Sequence, residues 1–373
     1  MCAGTPANTQ QLTYFAGNAC WQGMGAAALQ LPKWRLALAK VKEGAADAKL
    51  LVIGDSITNG WGTTNQLTAV YPASYPARLA TILNGKFATA PGLAAVPSTT
   101  TGTRTDARWT VGSGWASYAN YGFGAQSMEG TAGSGNLVFT PGGGVSYDSF
   151  TVYYTTYPSG VGTLTITATG GTPSVVSTIG SSGIGSVTVA AASAGTTNAV
   201  TITDAVNPAF VVAVEPFLST TSRVRVGSAG VAGSTTTTWT ADATAFGAVS
   251  AIKLYAPSLT VIMLGVNDAT ASAAPGTVTA NLTTLAKAAQ VSGDVIFAMW
   301  PPPSGSPTAA YTALYYPAIA NLATSLAAPF VDVYGRWGST WQTAFQYDSV
   351  HPNDYGHWDI AEAISALLLA VAP

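Results

Sequence analysis

The chain has 373 residues, of which only 8% are charged, against about 25% in an ordinary soluble domain. Its 14 basic and 16 acidic residues give neither sign an excess, which excludes the electrostatic surface of a nucleic-acid-binding protein. Hydrophobic residues make up 48%, so we expect a folded chain, and no apolar run is long enough to span a bilayer. The N-terminus lacks a basic segment leading into an apolar one, so we expect that any export signal was removed or never existed.

Residues 1–30 are irregular, and we predict an extended arm that contains both cysteines, Cys2 and Cys20. In an oxidising compartment these could form one disulfide, and in the cytosol they would be two thiols. A short helix is predicted from Pro32, with Gly44 just past its end. The neutral, hydroxyl-rich composition is typical of secreted or virion-associated proteins.

The first strand is predicted at residues 50–54, an apolar run that closes with Gly54. Asp55 and Ser56 follow directly, so they should lie at the carboxyl end of a buried strand. In an open α/β sheet, ligands bind at this edge. The next predicted helix covers residues 75–83.

Residues 97–221 lack helical periodicity, and short segments rich in Val, Thr, Tyr and Phe recur between glycine-rich turns. This spacing predicts an inserted all-β sandwich, jelly-roll-like, with strands that include 136–140, 149–157, 162–169, 184–190, 198–203 and 210–217. Its aromatic residues could form a sugar-stacking platform, but such residues more often form a sandwich core. We expect core for this set: Trp109, Trp115, Tyr118, Tyr121, Phe123, Tyr153 and Tyr154.

Strand and helix alternation resumes after residue 221. Strands are predicted at 223–227, 259–265, 294–300 and 330–334, and helices at 243–255, 277–290, 311–326 and 354–371. This alternation predicts the α/β class, with a mainly parallel sheet covered on both faces. We therefore divide the chain into an arm and helix (1–44), a discontinuous α/β domain (45–96 and 222–373) and the inserted sandwich (97–221).

Only two histidines are present, His351 and His357. Asp348 lies three residues before His351, a separation at which its carboxylate can accept a hydrogen bond from Nδ1 and leave Nε2 free to take a serine proton. Pro352 favours a loop conformation for His351. His357 falls about one turn into the last helix, and we expect it to be structural.

A serine nucleophile also needs donors for a developing oxyanion. Three candidates follow predicted strands: the backbone N–H of Ser56, the glycine-rich turn at 227–235, and the side-chain amide of Asn267. Asp55 could cap the turn that holds Ser56, and we assign it no chemical step.

Four segments resemble, in order, the four blocks of the SGNH (GDSL-type) hydrolase family: GDSIT at 54–58, GVAG at 230–233, GVND at 265–268 and DSVH at 348–351. The resemblance implies a flavodoxin-like α/β/α sandwich and no cofactor. It implies Ser56 as nucleophile, His351 as base and Asp348 as the residue that orients it. It also implies Gly233 and Asn267 as oxyanion donors beside the Ser56 N–H, with Gly230 as the alternative to Gly233. No Gly-x-Ser-x-Gly elbow occurs, which argues against an α/β-hydrolase.

The inserted segment resembles, by its position and strand content, the carbohydrate-binding-type modules of some polysaccharide and peptidoglycan O-acetylesterases. We therefore expect a serine esterase that removes short acyl groups, acetyl above all, from a carbohydrate or polysaccharide. Two alternatives stay open: a lipase-like or thioesterase-like hydrolase of longer acyl chains, and a virion or cell-surface binding protein with a vestigial hydrolase fold.

Two tryptophans stand near the predicted site. Trp61 follows the nucleophile turn and Trp300 ends a strand, so either could line the substrate cleft or simply pack beneath the loops. No group of His, Cys and carboxylate residues has metal-ligand spacing, so we expect no metal.

Overall fold

A computed structural model describes residues 31–64, 70–97, 106–142, 144–159, 162–206, 208–241, 245–304 and 309–373. The predicted arm, with Cys2 and Cys20, lies outside these residues. The helices are α1 Pro32–Lys42, α2 Ser56–Asn59, α3 Val70–Ala73, α4 Tyr75–Leu83, α5 Thr236–Thr240, α6 Ala248–Tyr255, α7 Val266–Thr270, α8 Pro275–Gln290, α9 Ala309–Ser325, α10 Val333–Arg336 and α11 Asp354–Ala370. The strands are β1 Ala48–Gly54, β2 Thr89–Ala95, β3 Trp109–Val111, β4 Trp115–Tyr118, β5 Ser127–Gly130, β6 Leu137–Phe139, β7 Tyr147–Thr156, β8 Thr163–Ala168, β9 Ser174–Ser177, β10 Gly183–Gly195, β11 Val200–Val206, β12 Ala209–Phe217, β13 Val224–Gly230, β14 Leu259–Met263, β15 Asp294–Met299 and β16 Phe330–Asp332.

The larger sheet, sheet A, has a parallel half in the order β2-β13-β1-β14-β15-β16. Without β2, the other five strands can be numbered from one to five along the chain: β1, β13, β14, β15 and β16. Their order in the sheet is then 2-1-3-4-5, the flavodoxin-like arrangement. The order reverses between β1 and β14, so the ligand-binding crevice of such a sheet should lie beyond the ends of these two strands. The predicted α/β class and parallel sheet are confirmed.

Helices cover this half of the sheet. Helix α4 packs against α11 and against β2 and β13, while α8 packs against α6, α9 and the strands β14 and β15. The last predicted strand is shorter than expected, because Asp332 caps α10 by accepting a hydrogen bond from the Gly335 N–H at 2.7 Å. The chain therefore turns helical two residues before the end of the predicted strand.

The inserted strands form two layers, but one of them is a continuation of sheet A. Strand β12 pairs antiparallel with β2 on one side and with β7 on the other, and β10 pairs with β7. The second layer is the antiparallel sheet B, in the order β3-β6-β11-β8-β9. In its described residues the insert is thus built of strands, as predicted, with one short 3-10 helix at Phe123–Ala125. It shares a hydrogen-bonded sheet with the α/β half.

Burial of the insert's aromatic residues follows from this arrangement. Trp109, Trp115 and Tyr154 are buried in the core between the two layers, while Phe123 and Tyr153 are buried on the α/β side of sheet A. The expected role in the sandwich core is confirmed for Trp109, Trp115 and Tyr154, whereas Phe123 and Tyr153 are buried in the core of the α/β half instead. Tyr118 and Tyr121 are only partly buried.

Candidate active site

Ser56 is the first residue of α2, directly beyond the carboxyl end of β1. Asp55 caps this helix, because its carboxylate accepts a hydrogen bond from the Ile57 N–H at 2.9 Å. Gly54 leaves no space for a side chain: a Cβ there would lie 2.0 Å from the Thr58 Oγ1 and 2.7 Å from the Met263 carbonyl oxygen. The turn is therefore held tightly between β1 and β14, which fixes the direction of the serine side chain.

The structure brings Ser56, His351 and Asp348 together. The Ser56 Oγ lies 2.9 Å from the His351 Nε2, and the His351 Nδ1 lies 2.9 and 2.8 Å from the two carboxylate oxygens of Asp348. An ionised carboxylate only accepts hydrogen bonds, so the proton on this imidazole sits on Nδ1. Nε2 then carries no proton and can accept the hydroxyl proton of Ser56.

Asp348 is held ionised by the backbone around it. Partial burial pushes the pKa of Asp348 upward, but hydrogen bonds from the backbone N–H groups of His351 and Val350 and from the imidazole outweigh it. The net pKa lies below the ordinary value. The carboxylate thus orients the ring while its own loop keeps it charged.

Asn267 lies at the start of α7, beyond the end of the neighbouring strand β14. Its Nδ2 donates to the Ser234 carbonyl oxygen at 2.9 Å, so the amide lies beside the turn that contains Gly233. A side-chain amide has two N–H donors, and this bond uses one of them. Within the described residues the other N–H has no recognised acceptor, so we expect it to be open to a ligand oxygen.

The two candidate glycines differ in their surroundings. Gly233 has a φ of +76° and open space where a Cβ would stand. Gly230 ends β13, and a Cβ there would lie 2.2 Å from the backbone nitrogen of Asn59. Gly230 therefore allows α2 to approach β13, while Gly233 lies in the turn next to the Asn267 amide.

Asp268 has a structural role that the sequence motif alone did not reveal. It is completely buried, and it accepts hydrogen bonds from the Thr236 N–H at 2.8 Å and the Thr236 Oγ1 at 2.6 Å. Asp268 thus ties the turn at 231–235 to the strand end that carries Asn267. Two sequence features could have indicated this role: Asp268 directly follows Asn267, and a run of threonines at 235–238 follows the glycine-rich turn.

Asp55 is also buried, close to Asp268. Burial raises the pKa of Asp55 to about 7, against the hydrogen bond from the Ile57 N–H, and the charge of Asp268 raises it further. Asp55 has no contact with the Ser56 hydroxyl among its hydrogen bonds in the described structure. Its capping role agrees with the expectation.

Trp61 and Trp300 occupy different environments. The Trp61 indole is partly buried and stacks on the His351 ring, with ring centroids 5.2 Å apart and an interplanar angle of 26°. Trp300 is only 1% exposed and packs against Gly265 and Tyr315. Of the two alternatives left open for Trp300, this burial favours packing beneath the loops, where the indole supports the turn leading to Asn267.

His357 is completely buried in α11. Its Nε2 donates to the Trp61 carbonyl oxygen at 2.9 Å, and its Nδ1 accepts from the Tyr75 N–H at 3.3 Å. Burial lowers the pKa of His357 to about 4, so the ring is neutral at ordinary pH. The structure places it behind the Trp61 backbone and not beside Ser56.

Two further findings concern the described residues only. They contain no group of three or more His, Cys, Asp or Glu side chains placed to hold a metal ion. None of their helices combines the length and apolar character that crossing a membrane requires.

Residues 191–358 match the model of the GDSL-like Lipase/Acylhydrolase family. The chain contains an SGNH-type acylhydrolase domain. The match includes the three later motif blocks, with Gly233, Asn267, Asp348 and His351, and Ser56 lies before it in the chain. The resemblance stated from the motifs is confirmed, and it assigns the protein to the carboxylic ester hydrolases. No curated protein matches the chain.

Similar solved structures include a peptidoglycan O-acetylesterase, 16% identical, with a TM-score of 0.66 over 92% of this chain and 97% of that one. A putative lipolytic protein of the G-D-S-L family from Desulfitobacterium hafniense is 9% identical, with a TM-score of 0.42 over 86% of this chain and 99% of that one. A carbohydrate acetylesterase family member from Sinorhizobium meliloti is 18% identical, with a TM-score of 0.30 over 40% of this chain and 80% of that one. The first of these shows that this SGNH-type hydrolase shares its fold, insert included, with another protein.

Proposed function

We propose that this SGNH-type hydrolase is a serine esterase whose nucleophile is Ser56. The observation that carries the proposal is the short contact between the Ser56 Oγ and the His351 Nε2, with the Nδ1 of the same ring on Asp348. His351 takes the hydroxyl proton as the serine oxygen attacks the ester carbonyl carbon. The resulting imidazolium then gives its proton to the departing alcohol, and an acyl-enzyme remains.

The oxyanion formed in this step needs donors that are already in place. We assign this part to the N–H groups of Ser56 and Gly233 and to the second N–H of the Asn267 amide. The bonds from Asn267 to Ser234 and from Thr236 to Asp268 hold the turn and the amide together before substrate arrives. Water, deprotonated by His351, then attacks the acyl-enzyme and releases the acid.

For the substrate we propose a short acyl group, acetyl above all, on a carbohydrate polymer. Support comes from the fold shared over nearly the whole chain with a protein described as a peptidoglycan O-acetylesterase. The low charge content also suits a neutral, hydroxyl-rich substrate. Such a polymer would place the enzyme in the cell envelope or outside the cell.

The insert adds a second line of support, because it contacts the turn at 231–235 that contains Gly233. A Cβ at Gly124 would lie 2.6 Å from the Val231 Cγ2, so this part of the insert packs directly on the turn. Tyr121, three residues earlier, has a φ of 68°, an uncommon conformation for a residue with a side chain. Its ring stacks on Tyr118 at 5.3 Å and meets Phe246 at 5.1 Å. These partly buried rings are where we propose that sugar units next to the scissile ester make contact.

The test is hydrolysis of p-nitrophenyl esters over a ladder of acyl lengths, followed by release of acetate from acetylated peptidoglycan and acetylated xylan. We expect activity to be highest on acetate and to be lost in Ser56→Ala. Tyr121→Ala should raise KM on the polymer at least several-fold and leave p-nitrophenyl acetate unaffected. Val175→Ala, on an exposed position of β9, is the matched control in the insert. A maximum at long acyl chains would contradict the acetyl assignment, and full activity of Ser56→Ala would contradict the mechanism.

A further inference from the structure

The segment that follows the nucleophile helix, residues 60–64, lies against the segment that carries His351. We call residues 60–64 the Trp61 loop. Its indole covers one face of the His351 imidazole, with the ring centroids 5.2 Å apart and the planes inclined by 26°. The Nδ1 of the imidazole is hydrogen-bonded to Asp348, and its Nε2 points to Ser56. The ring is thus fixed from three directions.

Several contacts fasten the Trp61 loop to the start of α11. Gly62 has a φ of +96°, and a Cβ there would lie 1.9 Å from the Pro352 carbonyl oxygen, so only glycine allows this approach. The N–H of Thr64 donates to Asp354 at 3.2 Å, and the Thr64 hydroxyl bonds the same carboxylate oxygen. Arg78 of α4 pairs with the other oxygen of Asp354 at 3.1 Å. The loop is therefore clamped to the helix that begins just after His351.

His357 provides the remaining support. It lies one turn into α11, completely buried, and donates to the Trp61 carbonyl oxygen at 2.9 Å while accepting from the Tyr75 N–H. A neutral ring with its proton on Nε2 satisfies both bonds, whereas a charged ring would lose its acceptor for Tyr75. The charged and titratable groups that act on it are Arg78, Asp354 and His351. His357 thereby links α4, α11 and the backbone of Trp61.

We propose that Trp61 is a positioning residue for His351, held in place by His357, and that its indole also stabilises the imidazolium formed during acyl transfer. The proposal rests on the proposed function and deepens it. An aromatic face within about 6 Å of a cation attracts it, and the attraction exists only after His351 has accepted the serine proton. Trp61 then acts more strongly on the transition state than on the bound ester, so it lowers the barrier instead of tightening binding.

This role differs measurably from that of a residue that only lines the cleft. Loss of a cleft wall raises KM for the ester and leaves the titration of His351 unchanged. Loss of a stacking partner lowers kcat and makes the imidazolium easier to deprotonate. The acidic limb of the kcat/KM profile, which reports protonation of the free base, should then move to lower pH.

The experiment compares Trp61→Leu and Trp61→Phe with the intact protein on p-nitrophenyl acetate from pH 4.5 to 9. We expect Trp61→Leu to lower kcat about tenfold at nearly constant KM, with the acidic limb at lower pH, and Trp61→Phe to restore most of both. Trp358→Leu is the matched control, since this partly exposed indole on α11 contacts Glu362 and lies 5.5 Å from the Arg78 guanidinium. It removes an indole beside the same clamp and leaves the stacking on His351 in place. A rise in KM with unchanged kcat and an unmoved limb would overturn the proposal.

A second measurement does not depend on turnover. With only two histidines in the chain, the imidazole C–H signals can be followed by NMR during pH titration of Ser56→Ala, with and without Trp61→Leu. We expect the His351 signal to titrate at lower pH in the double variant. An identical titration in both proteins would refute the role of Trp61. If the intact protein shows no hydrolysis that depends on Ser56, the proposed function is refuted. This titration then still decides whether Trp61 acts on His351.

Discussion

Replacement of Asp55 by asparagine tests how the nucleophile turn is held. Burial, together with the charge of Asp268, raises the pKa of Asp55 from 3.8 to about 7. The Asp55 carboxylate accepts a hydrogen bond from the Ile57 N–H, and the Oδ1 of an asparagine can accept that bond equally well. The variant therefore keeps the helix cap and removes only the ionisable group.

The sign of the effect follows from which state binds the proton. The unfolded chain releases the Asp55 proton near pH 4, whereas the folded protein keeps it until about pH 7. Over this interval the folded state holds more protons, so its stability falls as pH rises. The folded and unfolded pKa values differ by about 3 units, and each unit changes the free energy of unfolding by about 1.4 kcal/mol. The total is roughly 4 kcal/mol, of which about 3 kcal/mol is lost between pH 4.5 and 7.5.

His357 acts in the opposite direction. Burial lowers its pKa from 6.5 to about 4, so between these values the unfolded chain binds the extra proton and stability rises with pH. The pH dependence of the intact protein therefore combines two opposing slopes. Only the difference between a variant and the intact protein isolates Asp55.

The assay is urea unfolding at pH 4.5, 6.0 and 7.5, followed by tryptophan fluorescence and near-UV circular dichroism, which must give coincident transitions. We expect the stability of Asp55→Asn relative to the intact protein to increase by about 3 kcal/mol from pH 4.5 to 7.5. Glu43→Gln, at the exposed end of α1, is the matched control for the loss of one carboxylate. A difference between Asp55→Asn and the intact protein that is the same at all three pH values would refute the reasoning.

Three further substitutions test the site and its frame. Asp348→Asn should lower kcat on the order of 1,000-fold or more with KM little changed, because an amide can stabilise the wrong imidazole tautomer; a loss under tenfold would contradict its orienting role. Asn267→Ala should lower kcat roughly 100- to 1,000-fold, measured at saturating p-nitrophenyl acetate, and an unchanged kcat would remove it from the oxyanion site. Gly54→Ala should lower the melting temperature strongly or prevent folding, since a Cβ there meets backbone, whereas Gly276→Ala, with nothing within 4 Å, should not; equal stability of the two would contradict the packing argument.

Much of the α/β half could be predicted from sequence, because its strands are buried on both faces and its helices have one apolar side. Residues 50–54 form an apolar run that ends with Gly54, and residues 259–265 are apolar except for Thr260 and end with Gly265. Such runs mark strands in the middle of a parallel sheet. The motif residues follow these strand ends, so the topology alone brings Ser56 and Asn267 to one edge. The approach of His351 to Ser56 could be expected only from the family resemblance, since 295 residues separate them.

The junction between the insert and the α/β half could not be predicted. Strand β2 has the sequence TAPGLAA, which contains no β-branched residue except Thr89, and therefore carries little strand signal of its own. It is a strand because β13 and β12 flank it. Removal of residues 97–221 would uncover the edge of β2 and take Phe123 and Tyr153 out of the core of the α/β half. Point substitutions such as Tyr121→Ala therefore test the insert more cleanly than a deletion.

The two histidines show what sequence spacing cannot decide. Each lies close to an aspartate, His351 after Asp348 and His357 after Asp354, at the same separation of three residues. In the loop, the carboxylate of Asp348 turns back to the imidazole; in the helix, Asp354 instead bonds the Trp61 loop and Arg78. His357 is left to the backbone, where burial keeps it neutral, and it supports through Trp61 the ring that we propose as the base. The same residue pair thus gives one proton acceptor and one structural bridge, and the difference is made by where α11 begins.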